Sequence, residues 1–553
     1  MKMFFSQSVS FLLVSIFTIL LTHNTTLAET DNFSDVPSSH WAYNDILTLR
    51  EMDLTQGVGN NTFGMGRPMT RAEFVTFLAK LLQWETRSAA EGEPWYAVYV
   101  DAAAEAGAVT GEESVSFRPG DPITREEIAV MLIRSLGYES LALQLNTLPA
   151  PFDDVVQNIG YTTMAKDFGI VSGMSGKAFS PSSSATREQG AAMMVRLYNL
   201  LSETVGSNPA SGWINAFYAI KSSDQSGLIS LTDSVSFGWS RVEWRDGVYI
   251  NMSSAQNNEY SKPEGYETVL SDVRSQSKQA LLMVTVENKT VLSADSPDGA
   301  GQPLSAYLLN SEQLRRRMVS QIAAAAADFD GVTIDFENLR GSQARQDFSV
   351  FLTELKATLT PRGNLMYVAV QPARQPGQSY YDGYDFRGIG RVADKVILMA
   401  HDYYPKSLTD EEMESGFNVT PLSPINEVYY ALKAIADPVS GVEDTGKVLL
   451  QFSFDSAQWK LQNGRIINRE PFHPAYEAIQ SRVSLGASRQ YSLKYESPFV
   501  TFIDEDDQTD NIVWYENSRS VTAKLNLAAM FGIKGVSLWR LGLIPDDAAE
   551  LFE

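Results

Sequence analysis

Three phrases in the first two hundred residues align without a gap, and they restrict the fold of that region more than any other feature of the 553-residue chain. They are Gly57…Phe63…Thr70-Arg71-Ala72-Glu73, Gly111…Phe117…Thr124-Arg125-Glu126-Glu127 and Gly173…Phe179…Thr186-Arg187-Glu188-Gln189. In each, glycine leads phenylalanine by six positions and phenylalanine leads threonine by seven. Repetition at such a period means an array of similar small units. Threonine followed three residues later by Glu or Gln is a capping box: the hydroxyl caps the helix start and the longer side chain reaches back to the backbone. An apolar helix follows, as in Phe74, Phe77, Leu78 and Leu81, and another precedes it, as in Trp41 to Met52. Each unit therefore reads as helix, loop, helix, over 32–88, 92–144 and 150–201. The arginine fits less well. Arg71, Arg125 and Arg187 fall in the first turn of a helix, where a positive charge opposes the macrodipole. The sequence thus predicts an anion for each guanidinium fork to hold.

The start of the chain reads as an export signal over 1–28: Lys2, a mostly apolar run from Phe11 to Leu21, then Thr26-Leu27-Ala28 as a cleavage site. The run is shorter than the ~20 residues of a membrane span, and no later stretch supplies one, so a mature chain without a transmembrane segment is expected. The absence of cysteine excludes disulfides, thiolate metal sites and cysteine nucleophiles. Four histidines argue against a histidine metal cluster, and a formal net charge of −23 argues against a nucleic-acid binder, which needs a basic face. Ser202 to Ser211 is rich in small and turn-forming residues and reads as a linker over 202–211.

From 212 onwards strand and helix signals alternate. Candidate strands are Ile214–Ile220, Val235–Trp239, Ala280–Val286, Gly331–Asp335, Leu365–Val370, Val396–Met399, Val448–Phe452 and Gly535–Trp539, with helical runs between most of them. Eight such strands predict an α/β fold, a (β/α)8 TIM barrel whose chemistry sits at the C-terminal strand ends. Arg241 to Met252 reads as an added hairpin. Asp455 to about Tyr495 reads as a small insertion between strands seven and eight. In the fourth strand Val332, Ile334 and Phe336 alternate with Thr333, Asp335 and Glu337, which puts the latter three on one face. Charged groups ending an apolar strand are costly to bury without a role. Two carboxylates at this spacing suit a metal site, a retaining pair, or an acid with an orienting helper. Nothing nearby completes a metal shell. A nucleophile and acid must flank the scissile bond, which neighbours on one strand do not easily do. An acid with an orienting carboxylate remains.

Two resemblances sharpen these readings. Phe33-Ser34-Asp35-Val36, His40-Trp41-Ala42 and the three Thr-Arg phrases resemble surface-layer homology (SLH) domains over nearly all of 32–201. That implies an all-α three-repeat bundle docked non-covalently on an anionic secondary cell-wall polysaccharide. Arg71, Arg125, Arg187 and an aromatic near each unit's start would line the glycan grooves. Trp41 and Trp95 match that aromatic in the first two units; the third has Pro151-Phe152-Asp153-Asp154 and no Trp.

Asp330-Gly331-Val332-Thr333-Ile334-Asp335-Phe336-Glu337 resembles the signature of glycoside hydrolase family 18, with 212–553 as the catalytic barrel. The resemblance implies Glu337 as general acid/base. It implies Asp335 as the group that orients the substrate's own N-acetyl and stabilises an oxazolinium, with no metal and no cofactor. Asp330 and Gly331 are the structural part of the motif. Thr333 stands in place of the usual inner acid. It is expected to support Asp335 by a hydrogen bond and, carrying no charge, to leave Asp335 easier to ionise. A polar residue there is similar to the spore-cortex and cell-wall N-acetylglucosaminidase branch. His401 stands where the family has a Tyr on the N-acetyl carbonyl, so His401 or Tyr403 is expected to donate that bond. Asp402 and Trp539 are expected at the sugar subsite, Trp539 as its floor. The expectation is a secreted glycosidase retained on the bacterial cell wall or S-layer. It would cut β-1,4 bonds beside N-acetylglucosamine with retention, in peptidoglycan first and chitin as the alternative. An inactive surface glycan-binding protein is the other alternative.

Overall fold

The computed structural model describes residues 32–174, 176–205, 212–219, 222–253, 261–286, 290–291, 301–415 and 421–553. The expected export signal and residues 206–211 of the expected linker lie outside these. The chain forms two compact units that divide at Gly206 and Ser207.

The first unit is helical, and its three repeats each start one helix at the Arg of the Thr-Arg phrase: Arg71–Leu81, Arg125–Ser135 and Arg187–Val205. The capping boxes of Thr70 with Glu73 and Thr124 with Glu127 close in both directions. In the third repeat Gln189 accepts the Thr186 N–H at 3.2 Å, while the Thr186 hydroxyl is buried without a partner. The loop ahead of each phrase is locked by an aspartate in two of the repeats. Asp35 accepts the N–H groups of Phe63, Gly64 and Met65 at 2.7, 2.7 and 3.0 Å. Asp154 does the same for Phe179 and Ser180 at 2.8 and 2.7 Å. The third repeat therefore keeps the loop lock although it lacks the tryptophan.

The expected groove arginines are placed otherwise. Arg71, Arg125 and Arg187 are all buried. The Nε of each donates at 2.8 Å to the carbonyl of the repeated phenylalanine in the next unit: Arg71 to Phe117, Arg125 to Phe179, and Arg187 back to Phe63. Each guanidinium also lies over that ring, at 4.9, 4.6 and 5.0 Å from the centroid. Arg71 ion-pairs with Glu127, and Arg187 with Glu73 at 3.1 Å. For these two the expected anion is internal, the capping-box carboxylate of the next repeat. The macrodipole of one helix pointed to a missing partner, and the neighbouring repeat supplies it. Backbone bonds close the same ring: Met69 N–H to Ala185, Ala185 N–H to Ile123 and Ile123 N–H to Met69, each 2.9 Å. Trp41 and Trp95, by contrast, are 59% and 60% exposed.

The second unit is a closed (β/α)8 barrel. All eight expected strands form, as Ile214–Tyr218, Ser234–Trp244, Gln279–Val286, Gly331–Asp335, Leu365–Val370, Lys395–Leu398, Val448–Ser453 and Gly535–Trp539. They pair parallel in chain order, and the first strand also pairs with the eighth, which closes the sheet. The second strand continues into the expected hairpin with Val248–Asn251. In the fourth strand the alternation sorts the side chains as expected. Phe336 stacks outward on Phe351 and Phe348, with centroids 5.2 and 5.9 Å apart, on the helix Gly341–Leu359. Thr333 faces the barrel interior, where its hydroxyl meets Ser236 of the second strand. Phe217, Leu281, Met283, Tyr367, Ala369, Ile397 and Leu449 pack together in the barrel as an apolar cluster. Gly331 is required by close approach: a Cβ there would sit 2.2 Å from the Leu365 carbonyl oxygen. Asp330 accepts the Ala280 N–H at 2.8 Å and so ties the foot of the fourth strand to the third.

The insertion is larger than expected. It continues past Tyr495 to Trp514 as a five-stranded antiparallel sheet that includes Ala457–Gln462, Ser497–Ile503 and Asp510–Trp514. It has its own core around Trp459 and Trp514. Lys524 on helix Ser518–Ala529 fastens it, through a fully buried ion pair with Glu516 at 2.7 Å and a bond to the Glu496 carbonyl at 3.2 Å. No described helix is long and apolar enough to cross a membrane.

The arginine ring makes a stability prediction. Arg187→Ala leaves Glu73 and the Phe63 carbonyl without this partner, and it should destabilise the helical unit by about 2–4 kcal/mol. Trp41→Ala, at an exposed site, should change it by no more than about 0.5 kcal/mol. Urea unfolding of the full chain, followed by circular dichroism, checks both.

Candidate active site

The C-terminal ends of the strands open on a cavity of about 500 Å³. Asp335, Glu337, His401, Asp402, Tyr403 and Trp539 all line it. These residues come from the fourth, sixth and eighth strands, and closure of the sheet is what brings them together. Thr333 lies beneath the cavity floor, fully buried.

Asp335 is buried and its Oδ1 has no hydrogen-bond partner. Burial pushes its carboxyl well above the ordinary range, and the charge of Glu337 adds to this. The expectation of an easily ionised Asp335 is thus overturned: it weighed the missing charge at 333 but not desolvation. Nor does Thr333 support Asp335. The Ser236 hydroxyl donates to Asn215 Oδ1 at 3.0 Å, so the Thr333 hydroxyl, 2.7 Å from Ser236 Oγ, donates to Ser236.

Glu337 stands at the rim. The residue is exposed, yet desolvation of its carboxyl by the surrounding cavity wall raises its pKa; His401 opposes the rise and Asp402 adds to it. The Gln371 amide nitrogen lies 3.5 Å from Glu337 Oε2, and Gln371 Oε1 accepts the Asn338 N–H at 2.7 Å. The Tyr384 hydroxyl holds the Phe336 carbonyl at 2.8 Å. Asn338 and Asp402 both adopt left-handed backbone, with φ of 63° and 57°. Such non-glycine residues are uncommon and cluster at functional sites.

His401 is held by the protein at one ring nitrogen. Its Nε2 is 2.8 Å from Gln451 Oε1, and its Nδ1 is 3.6 Å from Asp402 Oδ1. Burial opposes the imidazolium, but Asp402 and Gln451 outweigh it and raise His401. Burial likewise opposes ionisation of Asp402, yet His401 and Lys406 hold that carboxyl far below its usual range. Tyr403 presents a buried hydroxyl without a partner on the cavity wall, and His401 Nδ1 likewise has no hydrogen-bond partner. The Arg374 guanidinium covers its ring at 4.7 Å. Trp539 sets its ring against Phe217 at 5.1 Å, with 63° between the planes.

Gln371, Arg374, Lys406 and Gln451 also line the cavity and were not foreseen. Two left a signal. Gln451 interrupts the apolar run Val448-Leu449-Leu450, and Gln371 directly follows the fifth strand, where barrel chemistry resides.

The raised pKa of Asp335 carries a stability cost with a definite sign. The folded chain binds this proton more tightly than the unfolded chain, for which an Asp titrates near ~3.9. Stability from this group is therefore present below that pH and is lost as pH rises through the folded value. Asp335→Asn should stabilise the barrel unit at pH 7 and do so less at pH 4. Thermal unfolding at the two pH values checks this.

Comparison with known proteins follows the same division of the chain. Residues 289–543 match the sequence model of Glycosyl hydrolases family 18, and residues 32–75 and 90–129 match that of the S-layer homology domain. The Cortical fragment-lytic enzyme of Bacillus subtilis (strain 168) is 28% identical over 246 residues, 43% of this chain and 53% of the relative. That of Bacillus cereus is 24% identical over 314 residues, 54% and 64%. The crystal structure of the Bacillus cereus spore cortex-lytic enzyme SleL aligns with a TM-score of 0.48 at 18% identity, covering 62% of this chain and 73% of that one. The chain spans about half to two-thirds of the length of the curated relatives it matches. The sequence thus matches the S-layer homology domain in its first part and Glycosyl hydrolases family 18 in its second.

Proposed function

We propose that the barrel hydrolyses β-1,4 glycosidic bonds next to N-acetylglucosamine by substrate-assisted, retaining catalysis, and that peptidoglycan is its substrate. The observation that carries this is the placement of Glu337 at the rim and Asp335 deeper in one cavity, both with raised pKa. A raised pKa favours the protonated form from which a general acid acts. Glu337 donates its proton to the glycosidic oxygen. The carbonyl oxygen of the substrate's 2-acetamido group attacks the anomeric carbon on the opposite face, and the leaving sugar departs. Asp335 faces the oxazolinium so formed. Its anion is unfavourable in the empty cleft and is stabilised when positive charge develops beside it. Water then adds at the anomeric carbon, giving its proton to Glu337, and the β configuration returns. The Tyr403 hydroxyl is the donor to the acetamido carbonyl, and the Trp539 face packs on the pyranose.

The helical unit holds the enzyme on an anionic wall polymer, and a third SLH repeat over 150–201 completes it. The exposed Trp41 and Trp95 are its contacts, whereas the arginines serve the fold. The matched wall-type domains and the cortex-lytic names of the relatives favour peptidoglycan over chitin as substrate.

Glu337→Gln should lower turnover by about 10²–10⁴ while substrate still binds. Reducing ends released from purified glycan strands and from chitin oligomers measure this. Cleavage of chitin alone would refute the substrate, and a first-formed α anomer in the NMR spectrum would refute the mechanism. Trp41→Ala with Trp95→Ala should release the folded chain from isolated walls. Full retention in a sedimentation assay would refute those contacts.

A further inference from the structure

A continuous polar chain crosses the barrel interior and ends on His401. It begins with the Thr333 hydroxyl on Ser236 at 2.7 Å, and Ser236 donates to Asn215 Oδ1 at 3.0 Å. Asn215 Nδ2 donates to Ser537 Oγ at 3.2 Å, and Gln451 Nε2 donates to the same oxygen at 3.3 Å. Thr333, Ser236, Asn215, Ser537 and Gln451 are all buried. The directions along the chain are determined. Asn215 Oδ1 accepts from Ser234 as well as Ser236, so its amide nitrogen turns to Ser537. The Gln451 nitrogen shares that oxygen, which leaves Gln451 Oε1 facing His401 Nε2 at 2.8 Å. An acceptor there requires a hydrogen on Nε2. The other ring nitrogen faces Asp402 Oδ1 at 3.6 Å, and neither of these buried atoms has a hydrogen-bond partner. A neutral ring with its hydrogen on Nε2 would aim a lone pair at the carboxylate, whereas an imidazolium aims an N–H at it.

We propose that Gln451, oriented through Ser537, Asn215 and Ser236, is a positioning residue that holds His401 as an imidazolium, so that its charge stabilises Glu337 as the general acid gives up its proton. The role of Glu337 is that of the proposed function, and this inference rests on it. The charged groups around the ring are consistent with the assignment. Asp402 and Lys406 come from the same loop, with Lys406 Nζ on the second Asp402 oxygen at 3.0 Å. Glu337 faces His401 from the end of the fourth strand, with Asp335 deeper in the cavity. Arg374, from beyond the fifth strand, is turned to Glu427 at 3.0 Å. His401, Lys406 and Asp402 together leave one net positive charge beside the acid. Asp402 alone would oppose loss of the proton.

The full chain has four histidines, so ¹⁵N-histidine NMR resolves few rings, and comparison with His401→Gln assigns this one. In wild type at pH 7 both ring nitrogens should carry hydrogen. Gln451→Leu removes a hydrogen bond to a charged group and should lower the His401 pKa by about one unit or more. Gln451→Glu should raise it. With purified glycan strands as the probe, Gln451→Leu should lower kcat with KM unchanged within about twofold. The alkaline limb of its pH profile should move to higher pH, because Glu337 loses a neighbouring cation. A neutral wild-type ring at pH 7 overturns the inference, as do equal losses in both variants without a shift of His401. An imidazolium signature in a wild type that cleaves neither substrate supports the ring assignment and refutes the proposed function instead.

Discussion

The first barrel strand hydrogen-bonds to both the second and the eighth, and the whole barrel unit depends on that seam. A parallel sheet that closes has no edge to protect. Closure also brings to one mouth strand ends that are far apart in sequence, so Asp335 and Trp539 line a single cavity. The seam is reinforced inside the barrel by Asn215 on the first strand. Its carbonyl takes the hydroxyls of Ser234 and Ser236 on one side, and its amide reaches Ser537 on the other. Backbone pairing and side-chain bonding therefore join the same three strands.

The barrel interior holds two kinds of side chain. Aromatic and aliphatic ones form one cluster. Hydroxyls and amides of Thr333, Ser236, Asn215, Ser537 and Gln451 form a second, each bonded to the next, as a low-dielectric interior demands. The bonding fails at the cavity. Asp335 Oδ1, His401 Nδ1, Asp402 Oδ1 and the Tyr403 hydroxyl are all buried without hydrogen-bond partners, and all four residues line the cavity. Unsatisfied groups gathered at one place mark where a ligand's polar atoms are wanted.

The strand rhythm of Val332 to Glu337 was readable because period two reports which face a side chain takes, and nothing more distant enters. The arginines were misread because their partners come from another repeat. Arg71, Arg125 and Arg187 bond to carbonyls 46, 54 and 124 residues away. The same limit hid the state of His401, whose partner Gln451 lies 50 residues on, inside an otherwise apolar strand. The insertion ran past Tyr495 because its last strands carry the same alternation as barrel strands, and only their pairing with Ala457–Gln462 and Ser488–Ser492 assigns them. Periodicity fixes orientation; it does not say which strand answers a polar group.

The arginine ring sets the helical unit apart from open repeat arrays. In an open stack the terminal repeats each have one neighbour and can fray, and units are added or lost one at a time. Here the third repeat grips the first through Arg187 and Phe63, so every repeat has two neighbours and none is terminal. Deleting one would break two interfaces and leave the remaining pair unable to meet across the gap. Such a unit is inherited whole, and it cannot be lengthened or shortened by a single repeat without being rebuilt.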